Sequence, residues 1–142
     1  MNIEGQSALV TGGGSGLGEA TALELARLGA KVAVLDINAA QAEKVAASIN
    51  AAYGDGRAVA CVCDITNTES LQAALDQAAA AIGPARILMS IAGIGSAKRV
   101  VAKDGTAAPL EDFVRVINVN LIGTYNAARL FARSEEHTSE LQ

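Results

Sequence analysis

Thr11-Gly12-Gly13-Gly14-Ser15-Gly16-Leu17-Gly18 lies between an apolar segment and an amphipathic one. Residues 7–11 predict a strand, and residues 15–28 predict a helix that Ser15 can cap and that repeats Leu17, Thr21, Leu25 and Leu28 at helical spacing. Glycines at such a junction let a pyrophosphate approach the helix N-terminus, where N–H groups and the helix dipole favour an anion. An ordinary tight turn is the alternative. We predict a dinucleotide site that includes Gly12, Ser15, Gly16, Leu17 and Gly18, the last of which lets the helix pack closely on the sheet.

Strand and helix patterns then alternate along the chain. Gly29 is predicted to end the first helix, and 53–56 and 93–109 are predicted as a turn and a loop. Further strands are predicted at 31–35, 57–63 and 86–90, and further helices at 39–52, from Thr66 or Asn67 to 82, and 110–132. This alternation is typical of an α/β fold with a doubly wound parallel sheet. Right-handed crossovers predict the strand order 3-2-1-4 in one domain, residues 1–132.

Acidic residues follow two of the predicted strands. Asp36 ends the second strand, where a carboxylate accepts hydrogen bonds from both hydroxyls of an adenosine ribose and repels a 2′-phosphate. Neither 13–15 nor 37–38 contains Arg or Lys to bind that phosphate, so we predict NAD rather than NADP. Asp64 follows the third strand at the same edge of the sheet. Capping of the next helix is the alternative role for each acid.

Composition and charge argue against several classes of partner. The net charge is −4, and without a basic run we expect no nucleic acid partner. We expect no membrane partner, because no apolar run reaches the roughly 18 residues that a span needs. Cys61 and Cys63 would share one face of a strand, and the only histidine is His137, so we predict buried thiols and no metal site. The start of the chain does not resemble a signal peptide, and we expect a cytoplasmic location.

The motifs together resemble the short-chain dehydrogenase/reductase superfamily. The Thr11–Gly18 stretch matches its glycine motif, and Asp64 matches the acid that contacts adenine, with Ile65 as a neighbouring cofactor-binding position. Ser90-Ile91-Ala92-Gly93 aligns with Asn-Asn-Ala-Gly, but both asparagines are replaced. Asn118-Val119-Asn120-Leu121-Ile122-Gly123 matches the motif of the fourth helix.

The resemblance implies a Rossmann-like, NAD-dependent oxidoreductase that acts on a small-molecule alcohol or ketone. It implies that Ala92 and Gly93 bind the cofactor, that Asn120 is the tetrad residue that positions a water in the proton relay, and that the parent protein is a homo-oligomer, a dimer or a tetramer. A narrower resemblance, carried by the glycine loop, Leu35-Asp36 and the long 103–113 segment, is to the type-2 3-hydroxyacyl-CoA dehydrogenases.

The superfamily acts through a Ser and a Tyr-x-x-x-Lys pair, which the resemblance places beyond the fourth helix. Tyr53 and Tyr125 are the tyrosines of this chain, and Arg57 and Arg129 stand where the lysine would be. We therefore expect the sequence to be the cofactor-binding half of such an enzyme and to be inactive as given. A non-catalytic dinucleotide-binding or sensor module of the same superfamily is the main alternative. A methyltransferase that binds S-adenosylmethionine is disfavoured, because Asn118 and Asn120 would have no role in it.

The C-terminal segment departs from the apolar pattern. Residues 133–142 are polar and acidic, and they can be encoded by a common short-read sequencing adapter. A natural polar helix end is the alternative. We interpret 133–142 as an artefactual tail and expect the natural sequence to continue differently after Ala132.

Overall fold

The computed structural model describes residues 1–140, with the side chains described as far as residue 136. Its strands are β1 (Ser7–Thr11), β2 (Lys31–Asp36), β3 (Ala58–Val62) and β4 (Ala85–Ser90). They form one sheet in the order β3-β2-β1-β4, and each neighbouring pair is parallel. The predicted α/β class and strand order are confirmed. All four strands therefore end at one edge of the sheet.

The helices lie close to the predicted ranges. They are α1 (Gly16–Arg27), α2 (Ala39–Tyr53), α3 (Thr68–Ile82), α4 (Leu110–Ile117) and α5 (Thr124–Glu140). Asn38 caps α2 and Asn67 caps α3, each through its side-chain oxygen. Tyr53 was predicted in a turn but is the last residue of α2, with Arg57 over its ring at 5.5 Å.

The predicted fourth helix, 110–132, is not uniform. Between α4 and α5 the chain is π-helical over Asn118–Gly123, and α5 continues to Glu140. Within the polar C-terminal segment, Arg133 hydrogen-bonds Gln72 and Glu135 pairs with Arg86 at 2.8 Å. The helix therefore extends past the predicted boundary at Ala132.

The sheet is covered on both faces, as alternation of side chains along each strand requires. Ala8 and Val10 of β1 pack with α1 and α2 on one face, whereas Leu9 packs with α3 and α5 on the other. Most of the buried side chains are Ala, Val, Leu and Ile, which fits a chain with 3% aromatic residues.

The apolar face predicted for α1 is partly wrong. Leu17 is 79% exposed, and the buried residues are Gly18, Ala22, Leu25 and Ala26. Small side chains face the sheet because they let the helix axis approach it closely. Leu17 is left at the sheet edge, beside the site described next.

Candidate functional site

A cavity of about 680 Å³ lies at the edge where the strands end. This volume is within the range of small-molecule and cofactor sites. Most of the predicted site residues line it: Gly12, Ser15, Leu17, Gly18, Asp36, Asp64, Ile65, Ala92 and Gly93. Gly16 and Asn120 lie beside lining residues but are not among them. Loops that are far apart in sequence therefore meet at one cavity.

Close backbone contacts explain two of the glycines. Gly12 has φ +67°, and a Cβ there would lie 2.7 Å from Cα of Ala92. A Cβ on Gly18 would overlap the carbonyl oxygen of Gly12. The loop after β1 is thus pressed against both the start of α1 and the loop after β4, and side chains at these positions would separate them.

The N-terminus of α1 differs from those of α2 and α3. Ser15 occupies the cap position, but its side chain makes no capping hydrogen bond, in contrast to the prediction. The Oδ1 atoms of Asn38 and Asn67 do accept from N–H groups of their helices, at 3.1 and 2.9 Å. The first turn of α1 therefore lacks the side-chain acceptor that the first turns of α2 and α3 have. Its N–H groups remain available to an external anion.

Asp36 fixes the glycine loop as well as facing the cavity. Its Oδ2 accepts from the N–H of Gly14 and its Oδ1 accepts from the N–H of Asn38, both at 2.9 Å. Asn38, not Asp36, is the cap of α2. Each carboxylate oxygen can accept more than one hydrogen bond, so Asp36 keeps capacity for hydroxyl donors in the cavity.

Asp64 shapes the loop after β3. Its Oδ1 accepts from the N–H of Thr66 at 2.9 Å and from the Thr66 hydroxyl at 2.6 Å. Asn67 rather than Asp64 caps α3. The backbone turn that Asp64 closes presents Ile65 and Thr66 to the cavity.

A threonine braces the loop after β4. The Thr11 hydroxyl oxygen accepts from the N–H groups of Ile91 and Ala92, at 3.2 and 3.3 Å. These two hydrogen bonds connect the ends of β1 and β4, where Ser90 and Ile91 replace the two asparagines of the motif. The role of Thr11 was not predicted, although its position at the end of a central strand could have indicated a contact with the loop after the neighbouring strand.

Asn120 holds the same loop from the other side. Its Oδ1 accepts from the N–H of Ile94 and its Nδ2 donates to the carbonyl oxygen of Ile94, both at 2.8 Å. Asn120 lies in the π-helical segment, and such wide turns are frequent at functional sites. The structure thus places Asn120 against the wall of the cavity through Ile94, which lines it.

Other lining residues were not predicted. They are Leu35, Ile37, Cys63, Thr66, Ile91, Ile94, Arg115, Asn118 and Val119. Arg115, on α4, is the only cation among the described residues that line the cavity. The amphipathic pattern of 110–132 could have indicated which face of this helix meets the sheet edge, but not that the helix contains a π-helical turn that begins at Asn118.

The two cysteines are free and buried, in agreement with the prediction. Burial raises the pKa of Cys61 from 9.0 to about 11. Burial, reinforced by the charge of Asp64, raises the pKa of Cys63 from 9.0 to about 12. Neutral thiols are therefore favoured in the folded state, as expected of structural cysteines.

We expect iodoacetamide at pH 8 to alkylate Cys61 and Cys63 at least about 100-fold more slowly in the folded chain than in urea. Each unit by which a pKa is raised lowers the fraction of thiolate about tenfold. Because both pKa values are raised on folding, their contribution to stability is intact below pH 9 and is lost as the pH rises toward 11 and 12. Mass spectrometry of the alkylated chain measures the rates. Equal rates with and without urea would contradict the burial of both thiols.

Among the described side chains, no three His, Cys, Asp or Glu gather in a way that could hold a metal ion. Within residues 1–140, no helix is long and apolar enough to span a bilayer.

The sequence model described as short chain dehydrogenase matches residues 6–139. The chain belongs to the short-chain dehydrogenase family. This match confirms the resemblance drawn from the glycine loop and the Asn118–Gly123 motif. The family is one of oxidoreductases.

Relatives within the short-chain dehydrogenase family agree in sequence and structure. The chain is 40% identical over 132 residues to a bovine 3-hydroxyacyl-CoA dehydrogenase type-2, covering 92% of this chain and 49% of the relative. It is 35% identical over 136 residues to a 7alpha-hydroxysteroid dehydrogenase of Escherichia coli K12, covering 96% of this chain and 50% of that one.

A solved 3-ketoacyl-(acyl-carrier-protein) reductase from Brucella melitensis, complexed with NADH, superposes with a TM-score of 0.84 at 36% identity. The match covers 99% of this chain and 54% of the reductase. A 3-hydroxyacyl-CoA dehydrogenase type-2 from Mycobacterium avium gives a TM-score of 0.80 at 36% identity, covering 92% and 48% of the two chains. The chain spans about half the length of the relatives that it matches.

Proposed function

We propose that this chain binds NAD(H) and is the cofactor-binding half of an NAD(H)-dependent oxidoreductase that acts on a secondary alcohol or ketone. The observation that carries the proposal is the single cavity formed by the glycine loop, the Asp36 carboxylate and the loops after β3 and β4. The family of the chain and the NADH complex of the Brucella reductase support it.

The residues of the cavity fit a dinucleotide. The uncapped first turn of α1, with Gly12, Ser15, Gly16, Leu17 and Gly18, would hold the pyrophosphate. The Asp36 carboxylate would accept from the adenosine ribose hydroxyls, since both its oxygens retain free lone pairs.

The other loops would hold the two ends of the dinucleotide. Asp64 and Ile65 would contact adenine, and Ala92 and Gly93 would lie under the nicotinamide half, with Asn120 holding that loop. When bound, the nicotinamide supplies or accepts hydride at C4.

The substrate class that we propose is a 3-hydroxyacyl-CoA or a related secondary alcohol. Support comes from the relatives named 3-hydroxyacyl-CoA dehydrogenase type-2, one of them 40% identical. The long loop between β4 and α4 also matches that resemblance. In this structure it forms an antiparallel bridge between Val101 and Ala107 and is tied to α4 by an ion pair between Lys98 and Asp112 at 2.6 Å.

Cofactor binding is tested by Ser15→Asp. Aspartate is a good helix cap, so the variant should fold, but its charge would occupy the position of the pyrophosphate. We expect the Kd for NADH, measured by calorimetry, to rise about tenfold or more. Asn67→Asp, at the cap of α3, is the matched control because it adds the same charge outside the cavity, and it should change the Kd less than about twofold. Equal effects of the two variants, or no binding by the wild type, would refute the proposal.

One observation favours a second candidate, a dinucleotide-binding module without catalysis. Tyr125 is 69% exposed on α5 and does not line the cavity, and Tyr53 ends α2. Neither tyrosine is therefore placed to act as the proton donor. The two candidates share the cofactor site and differ in turnover by the longer parent protein.

We further propose that the parent is a homo-oligomer, a dimer or a tetramer. The helices that follow the long loop expose large apolar side chains, namely Leu110, Phe113, Val114, Leu121, Ile122 and Tyr125. A surface of this kind is typical of a face that is covered in the assembled protein. A cytoplasmic location and the absence of nucleic acid partners stay predictions.

A further inference from the structure

Asn126 is a buried polar residue on α5, 6% exposed, that faces the loop after β3. Its Nδ2 donates to the carbonyl oxygen of Ile65 at 3.0 Å. Its Oδ1 accepts from Nε of Arg129 at 2.9 Å. The amide is therefore oriented by Arg129 so that its donor meets the backbone of the loop, at a residue that lines the cavity.

Gly123 contacts the side chain of the same loop residue, Ile65. A Cβ at this position would lie 2.8 Å from both Cδ1 and Cγ1 of Ile65. The Ile65 side chain thus packs directly on the helix backbone, while Asn126 holds its carbonyl. Backbone and side chain of Ile65 are fixed by two residues of one helical segment.

The loop after β3 and the loop after β4, which both line the cavity, are held by the same continuous helix. Asn120 bonds both backbone groups of Ile94 in the loop after β4, and Asn126 bonds Ile65 in the loop after β3. Asn120 lies within the π-helical turn that ends at Gly123, and Asn126 lies in the first turn of α5. The relative position of the two loops therefore depends on this segment.

We propose that Asn126 is a positioning residue for the cofactor: it fixes Ile65, and with it the adenosine end of the site. The inference rests on the proposed binding of NAD(H). Asn126 does not line the cavity, so it acts through Ile65 and not by contact with the ligand.

Asn50 provides a matched comparison. It also bonds both backbone groups of one residue, Ala58, with Nδ2 to the carbonyl oxygen at 3.0 Å and Oδ1 to the N–H at 2.8 Å. It joins α2 to β3 away from the cavity. Loss of its donor should therefore reduce stability without an effect on the ligand.

The test compares Asn126→Asp with Asn50→Asp in the full chain. Aspartate removes the donor to the carbonyl but still accepts from Arg129. We expect the Kd for ADP-ribose, corrected for the folded fraction, to rise about tenfold in Asn126→Asp, the size of one neutral hydrogen bond. The Kd for NADH should rise by the same factor, because ADP-ribose keeps the adenosine end of NADH and lacks only the nicotinamide ring. Asn50→Asp should lower Tm and leave both Kd values within about twofold.

Gly123→Ala is the second variant, for the case in which Asn126→Asp does not fold. It displaces Ile65 and keeps Asn126, and it should also weaken ADP-ribose about tenfold. If the wild type binds ADP-ribose and NADH but the folded variants bind them within twofold of it, the inference is overturned and the proposed function stands. If the wild type binds neither, both are overturned.

Discussion

NADH is expected to bind this chain about 100-fold more tightly than NADPH, because a 2′-phosphate would meet the Asp36 carboxylate. Both oxygens of Asp36 are fixed by backbone N–H groups, those of Gly14 and Asn38, so the carboxylate cannot turn away without breaking the glycine loop. Calorimetric titration of the chain with each reduced cofactor measures the ratio of the two Kd values.

Asp36→Ala combined with Ile37→Arg should reverse this preference. Ile37 lines the cavity and is 72% exposed, so an arginine there can reach a phosphate without disturbing the core. Ile37→Arg alone is the control, since it keeps the carboxylate and should raise NADPH affinity much less. The double variant should also have a lower Tm, because the N–H groups of Gly14 and Asn38 lose their acceptor. Tighter binding of NADPH than of NADH by the wild type would refute the assignment of Asp36.

The sheet could be predicted because its signals are local. Each strand is a short apolar run, each connection contains a helical pattern, and right-handed crossovers then leave few strand orders. The glycine loop could be predicted because Gly12, Gly16 and Gly18 stand at a characteristic spacing between a strand pattern and a helix pattern. These features depend on residues near one another in sequence or on general rules of chain topology.

What the sequence did not reveal depends on contacts between distant residues. Leu17 was placed on the apolar face of α1, but Gly18, Ala22 and Ala26 face the sheet, because the helix packs more closely than a leucine would permit. The hydroxyl of Thr11 and the amide of Asn126 bond backbone groups far along the chain. No periodicity indicates such partners, and the π-helical turn that shifts the helix face has no signature in residue type.

The chain as given is expected to bind NADH but to show no turnover of 3-hydroxyacyl-CoA with NAD. A positioned proton donor contributes about 10²–10⁴-fold to such a reaction, and the tyrosines here do not face the cavity. Asn120, whose side-chain amide has no ionisable proton near neutral pH and bonds the backbone of Ile94, cannot replace it. The decisive measurement is the absorbance of NADH in the presence of a saturating hydroxyacyl-CoA, run beside calorimetric binding on the same sample.

We expect the same sample to associate and to melt in a broad transition, whose midpoint is the Tm compared among the variants. Within residues 1–140, β4 pairs only with β1, so one of its edges lies open, and large apolar side chains such as Phe113 and Leu121 are exposed. The segment after Ala132 adds an exposed ion pair between Arg86 and Glu135, and an ion pair of this kind contributes only about 0–1 kcal/mol. Deletion of 133–142 should therefore leave the Kd for NADH unchanged.

Fusion to the second half of a relative such as the bovine 3-hydroxyacyl-CoA dehydrogenase type-2 should cover the exposed apolar side chains and restore activity. Turnover by the 142-residue chain alone, together with a cooperative melt and a monomeric sedimentation profile, would show that the chain needs no further segment for catalysis.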